Sequence, residues 1–206
     1  MLKLWGRVNS INVQKVRWTL AELGIPHQRV DAGLQFGVVN EPAYRAMNPN
    51  GRVPTIDDEG FILWESNAIV RYLAAGHGEG SLWPRDARVR ADSDRWMDWT
   101  SITLGGSLIP LFWALIRTPP EKRNREEIAV HHRQCIESLA VLDAALAGRD
   151  HVAGEQLTIG DIAAGASVHR WFGLPVERPP MPNLERYFAR LSERPAYRET
   201  VMIPLT

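Results

Sequence analysis

NPNGRVPTIDDEGFILWESNAIVRYLAA, running from Asn48 to Ala75, holds the densest structural instruction in the chain. Asn48-Pro49-Asn50-Gly51 is a turn signal, because Pro fixes φ and removes a donor while Asn and Gly tolerate positive φ. Two short apolar runs follow, Val53 to Ile56 and Phe61 to Trp64, separated by Asp57-Asp58-Glu59-Gly60. This predicts a β-hairpin with a polar, Gly-closed loop. Pro54 inside the first run fits either a trans proline on an edge strand or a cis Val53–Pro54 bond, which costs only about 0.5–1 kcal/mol. Glu65-Ser66 then opens a helix with apolar positions Ala68, Ile69, Tyr72 and Leu73, and Ser66 is its candidate N-cap. A strand that runs straight into a helix leaves unpaired N–H groups, a natural seat for a carboxylate, with Glu65 beside them to accept from an ammonium group. A plain cap next to a solvated Glu fits the same two residues.

On the N-terminal side, Leu2 to Trp5 predicts a short strand and Arg7 to Asn12 a polar loop. Val13, Val16, Leu20 and Leu23 recur at helical spacing, with Ser10 or Asn12 as N-cap and Gly24 and Pro26 as the stop. His27 to Asp31 is a weak second strand, Ala32 to Asn40 a Gly-containing loop, and Glu41 to Met47 a short helix. The order β-α-β-(loop/α)-β-β-α is that of a thioredoxin-like domain, residues 1–76. Gly76 to Pro84 is the one strongly Gly-rich stretch, and residues 77–85 read as a linker. From residue 86 to 206 strand signals vanish, which predicts an all-helical domain. Asp86 to Arg117 reads as one long helix, apolar at Val89, Trp96, Trp99, Leu104, Leu108 and Leu111, weakened at Gly105-Gly106 and Pro110; Trp96 and Trp99 fit core or subunit contact. A second helix opens at Pro119-Pro120 and runs to about Ala147. Thr158 and Asp161 form a capping box for a buried helix reaching about Trp171, so Asp161 is read as structural. Asn183 to Ser192 is the last helix, stopped by Pro195.

With 206 residues, 45% hydrophobic and 23% charged, the chain can bury a sizeable core. Its 24 acidic and 24 basic residues balance, which gives no global charge for nucleic acid or a membrane surface. No apolar run approaches the roughly 18 residues of a membrane span, and the start lacks a signal peptide's apolar core, so a cytoplasmic protein is expected. The single Cys135 excludes an internal disulfide and sits in a helical pattern as a small packing residue. No histidine has ligand spacing, His131 and His132 being adjacent, so no metal site is expected.

The ordered set N-P-x-G-x-V-P at Asn48 to Pro54, E-S at Glu65-Ser66, A-I-x-x-Y-L at Ala68 to Leu73 and T-x-G-D-I-A at Thr158 to Ala163 resembles the glutathione transferase family over both halves of the chain. The resemblance implies that Val53, before Pro54, pairs through its backbone with the cysteinyl part of glutathione, that Glu65 and Ser66 bind the γ-glutamyl end, and that Arg52 contacts the same ligand. The family's activating residue stands just after the first strand. No Tyr or Cys lies there, so the resemblance points to a serine or asparagine type, with Ser10 or Asn12 directing a donor at the sulfur; both also fit N-capping. Where serine-type members bring a His or Lys to the glycine carboxylate, this chain reads QFGVVN, leaving Gln35 or Asn40. The resemblance also implies an electrophile pocket over the long helix, lined by Trp113, Ile116, Arg117 and Trp171, and a homodimer. Glutathione enters as co-substrate, with no other cofactor, in conjugation of a small hydrophobic electrophile and hence detoxification. Glutathione-dependent disulfide reduction, peroxidase activity or isomerisation on the same scaffold is the alternative reaction, and a non-catalytic binding module is the alternative role.

Overall fold

The structure, a computed structural model, describes residues 1–206. The N-terminal half is a four-stranded sheet in the order β2-β1-β3-β4, built from β1 (Leu2–Trp5), β2 (His27–Val30), β3 (Thr55–Asp58) and β4 (Phe61–Trp64). β1 runs parallel to β2, with Leu2 opposite His27, and antiparallel to β3, with Leu4 opposite Ile56. Helices α1 (Ile11–Glu22) and α3 (Ser66–His77) close this half, and the short α2 (Pro42–Met47) lies between β2 and β3. Leu2, Leu4, Val13, Val16, Leu20, Ile56, Ile69 and Leu73 form its core. This is the mixed thioredoxin-like arrangement, followed by an all-helical half.

The hairpin differs from its expected bounds. β3 begins at Thr55, two residues late, because Tyr44 Oη and Asn48 Nδ2 both donate to the carbonyl of Arg52, at 2.7 and 2.8 Å, and hold the segment before it as a loop. Asp57 and Asp58 belong to the strand rather than the loop, opposite Ile62 and Phe61. Glu59 and Gly60, both at positive φ, make the turn, and Asp57 accepts the N–H of Gly60 at 2.7 Å. The Val53–Pro54 bond is cis. The buried face of α3 is Ile69, Val70, Leu73 and Ala74; Tyr72 points outward, where its hydroxyl donates to Asp58 at 2.8 Å.

The long helix is continuous from Ala87 to Arg117, but it changes pitch twice. Between α4 (Ala87–Trp99) and α5 (Gly105–Phe112) lies a π turn, Thr100–Leu104, and a second, Trp113–Arg117, ends the helix. Contrary to expectation, this helix is long and apolar enough by length and composition to cross a membrane; Leu104, Leu108, Leu111 and Phe112 are buried in the helical core. Val89 is exposed. α6 (Arg125–Ala145) starts later than expected, because Asn124 caps it by accepting from Glu126 and Glu127, and Pro120 opens only a short 3₁₀ turn. α7 (Ile159–Gly173) is the central helix, nearly all of it buried. The Asp161 carboxylate accepts the N–H of Thr158 at 2.8 Å, as the capping box predicts, and also the N–H of Val152 at 2.9 Å and the hydroxyl of Tyr187 at 3.0 Å. After α8 (Pro182–Ser192), Pro195 is not a stop but the first residue of α9 (Pro195–Thr200), where a missing N–H costs nothing.

Candidate active site

Two adjoining chambers lie where the halves meet. The larger, of about 550 Å³, is bounded by the N-terminal turns of α1 and α3 and by the first π turn. Glu65 and Ser66 stand at the start of α3, whose first N–H groups carry no intrahelical partner. Ser66 proves to be the first helical residue rather than the N-cap. The cap position is Glu65, at φ 70° and ψ 112°, an unfavourable region for a residue with a side chain. Ser66 Oγ donates to Asn12 Oδ1 at 3.2 Å, tying α3 to α1. Arg52 lines the same chamber from the loop before β3, and Asn48, itself buried, holds that loop by donating to Thr55 Oγ1 and accepting from the N–H of Asn50. No protein main-chain group pairs with the N–H or C=O of Val53.

The smaller chamber, of about 120 Å³, contains Ser10 at the N-terminus of α1 and Ile109, Phe112, Trp113 and Arg117 from the long helix. Ile11, Asn12, Ile109 and Arg170 line both chambers, so the two share a wall. Ser10 occupies the N-cap position with extended backbone, but its side chain makes no cap hydrogen bond. Its hydroxyl is therefore uncommitted, at 7% residue exposure.

Other expected site residues lie elsewhere. Trp171 is 1% exposed in the helical core, stacked on His132 with centroids 5.8 Å apart, and lines neither chamber. Gln35 and Asn40 are exposed and outside both chambers, and Asn40 Oδ1 already accepts from Arg45 at 3.1 Å. Cys135 is buried, its thiol within 3.3 Å of Ser107 Oγ, and burial pushes its pKa up.

Three cations escaped the sequence reading. Lys15, 7% exposed, donates to Asn67 Oδ1 at 2.8 Å; burial lowers its pKa to about 7, opposed by Glu65 and assisted by Arg71 and Arg170. Arg170 on α7 and Arg7 in the β1–α1 loop reach the smaller chamber. A signal existed for Arg170, which sits in the run IGDIAAGASVHRWFG, too apolar to face water.

Residues 1–75 match the family model described as glutathione S-transferase, N-terminal domain, and residues 107–195 match its C-terminal domain. Glutathione S-transferase GstB of Escherichia coli is 43% identical over 208 residues, covering 100% of both chains. This chain belongs to the glutathione S-transferase family. The theta class glutathione S-transferase from Xanthomonas axonopodis pv. citri, solved with glutathione bound, superposes with a TM-score of 0.96 at 46% identity, covering 100% of this chain and 99% of that one. With relatives of that name matching end to end, the protein is a glutathione transferase enzyme. A more distant similarity, 26% identity to probable elongation factor 1-gamma 2 of Arabidopsis thaliana, spans 82% of this transferase chain but only 42% of that protein.

Proposed function

We propose that the larger chamber binds glutathione and that the enzyme adds its thiolate to a small electrophile held in the smaller one. The γ-glutamyl carboxylate takes the free N–H groups at the start of α3 and the Ser66 hydroxyl, with Lys15 beneath; the ammonium takes Glu65. The cysteinyl backbone pairs with Val53, and Arg52 covers the peptide. The thiol then lies at the N-terminus of α1. Glutathione bound to the relative from Xanthomonas supports this reading.

Free thiols, with a pKa near 8.5, are only a few per cent ionised at pH 7. Lowering the pKa by about two units takes roughly 2.7 kcal/mol of preferential stabilisation of the anion. One hydroxyl donating to a charge supplies about 1.5–3 kcal/mol, and a helix N-terminus up to about 1–2 more. Ser10 is the donor on this reading. The observation that carries it is the Ser10 hydroxyl, left free of the capping bond at the head of α1 and opening on the chamber. Asn12, whose oxygen is bonded to Ser66, positions the γ-glutamyl site and is the second candidate donor through its amide N–H. Conjugation is a substitution or addition in which sulfur bonds to the electrophilic carbon. No metal or cofactor beyond glutathione takes part, and we place the enzyme in the cytoplasm as a homodimer acting in detoxification.

The test is calorimetry with glutathione on wild type, Ser10→Ala and Asn12→Ala, with thiolate absorbance followed against pH. The expected result is a lowered thiol pKa in the wild type that returns towards about 8.5 in Ser10→Ala. An unchanged titration in Ser10→Ala with a change in Asn12→Ala transfers the role to Asn12. A wild type that binds no glutathione sinks the proposal.

A further inference from the structure

The smaller chamber collects three guanidinium groups and no carboxylate: Arg7 from the β1–α1 loop, Arg117 from the second π turn and Arg170 from α7. Arg170 is 5% exposed, and its guanidinium carbon lies 3.9 Å from the ring centroid of Phe112. Arg117 lies over the same ring at 5.1 Å and over Trp113 at 4.6 Å. No Asp or Glu side chain pairs with any of the three. Nε of Arg7 and Nε of Arg170 are both buried without a hydrogen-bond partner. Arg117 donates only to the main-chain oxygen of Thr206, at 3.2 and 3.3 Å.

Such an arrangement is costly. Buried charges are normally paired, and the aromatic faces offset part of the penalty without satisfying the N–H donors. Burial, then the neighbouring Arg117 and Arg7, lowers the pKa of Arg170 to about 9. The acidic side chains on the chamber walls, Glu65 and Asp98, line the larger chamber, where Glu65 stands with Lys15 and Asp98 is bonded to Arg71 at 2.8 Å. Arg117 is already bonded to Thr206, whereas Arg7 and Arg170 keep buried Nε groups without an acceptor, and a group that brings negative charge to these two would complete the site.

We propose that the smaller chamber holds the carboxylate of the second substrate, which is therefore a small anionic electrophile with its reactive carbon towards Ser10 and Asn12. This inference rests on the transferase reading above and narrows its substrate class. The volume of about 120 Å³ is that of about four waters in the liquid, room for an acetate- or propionate-sized group. The arginines also have a kinetic use. A thiolate and a carboxylate repel one another in water, and forked cations that take the carboxylate's charge remove that repulsion as sulfur approaches. With an α-halo carboxylate, sulfur forms the bond to the α carbon while the carbon–halogen bond breaks. The halide leaves with the electron pair, and the thiol proton has already passed to solvent.

Chloroacetate and chloroacetamide share carbon and leaving group and differ in charge. Each rate with glutathione is divided by its uncatalysed rate. The expected result is a wild-type preference for chloroacetate of at least about tenfold, as charge-assisted bonds allow. In Arg170→Gln and Arg117→Gln the chloroacetate kcat/KM falls about ten- to hundredfold, and at least fivefold further than that of chloroacetamide, through a raised KM for chloroacetate. Arg117→Lys, at a more exposed position, keeps the charge and loses the fork, so it recovers part of the preference even if the buried variant fails to fold. A wild type that conjugates chloroacetamide without preferring chloroacetate overturns this proposal and leaves the transferase reading standing. A raised KM for glutathione in the arginine variants, with both electrophiles equally affected, overturns it by assigning the cations to the tripeptide's own carboxylate. A wild type that neither binds glutathione nor conjugates either probe sinks both.

Discussion

Lys15 makes the point that a charged residue on an amphipathic helix need not face water. α1 is covered on one side by the sheet and on the other by the helical half, so Gln14, Lys15, Trp18 and Thr19 are buried together with Val13, Val16 and Leu20. A four-residue apolar period names one buried face and is silent about the second. Because the lysine has a pKa of about 7 when folded and about 10.4 in an unfolded chain, the unfolded state binds more protons between these values. The contribution of Lys15 to stability therefore rises with pH across that window and is flat below it. Urea unfolding of wild type and Lys15→Met at pH 6, 7.5 and 9 should show the wild type gaining on the variant by up to about 1.4 kcal/mol per pH unit, above pH 7 only. Parallel curves across the three pH values would refute the burial of a titrating lysine. Arg170 was legible by a different route, as the one strong cation in a run of small and apolar residues, whereas nothing in the sequence joins Arg7 to it from 163 positions away. Ser10 and Asn12 were legible as a pair. What separates them, a free hydroxyl against an amide bonded to Ser66, exists only in three dimensions.

At the scale of elements, short local signals held where a specific bond enforces them. The Asn48 turn works because its side chain bonds Arg52 and Thr55, and the Thr158 box works because Asp161 accepts from Thr158. Boundaries that distant groups decide are not written in the local sequence: the start of β3, the cap of α6 and the whole of α9. Asp161 does more than cap α7. As a cap it is worth about 1 kcal/mol. As observed, it additionally holds Val152 N–H and Tyr187 Oη within the core, and removing it strands these donors. Asp161→Ala should therefore destabilise the protein by about 3 kcal/mol or more by urea denaturation, and a loss near 1 kcal/mol would return it to a simple cap. The start of α7 is equally constrained by Gly160, where an added Cβ would meet the main-chain oxygen of Ser93 at 2.6 Å. The crossing of α7 over α4 is set there by the absence of a side chain.

The two halves of the molecule share one core. Trp18, Val70 and Ala74 from the α/β half belong to the large cluster of the helical half, and Trp18 meets Tyr197 edge-on with centroids 4.7 Å apart. Arg194 forks onto Glu22 at 2.8 and 2.7 Å, and Arg71 reaches Asp94 and Asp98. Unfolding followed by tryptophan fluorescence and by far-UV circular dichroism should accordingly give superimposable single transitions, and Glu22→Ala should lower the common midpoint without separating the two probes. Separated midpoints in the wild type would mean that the halves melt independently. The helix from Ala87 to Arg117 runs through this shared core, and its two π turns bear on the molecule's history. Each holds one residue beyond the α repeat, which offsets every later side chain by about 100° around the axis. The rod is thus phased in three sections: one keyed to α7, one to α6, and a last one that delivers Trp113 and Arg117 to the crevice. Gaining or losing a single residue at the second joint re-aims Trp113 and Arg117 together and leaves the packed layers before it in register, a larger step in specificity than point substitution can take.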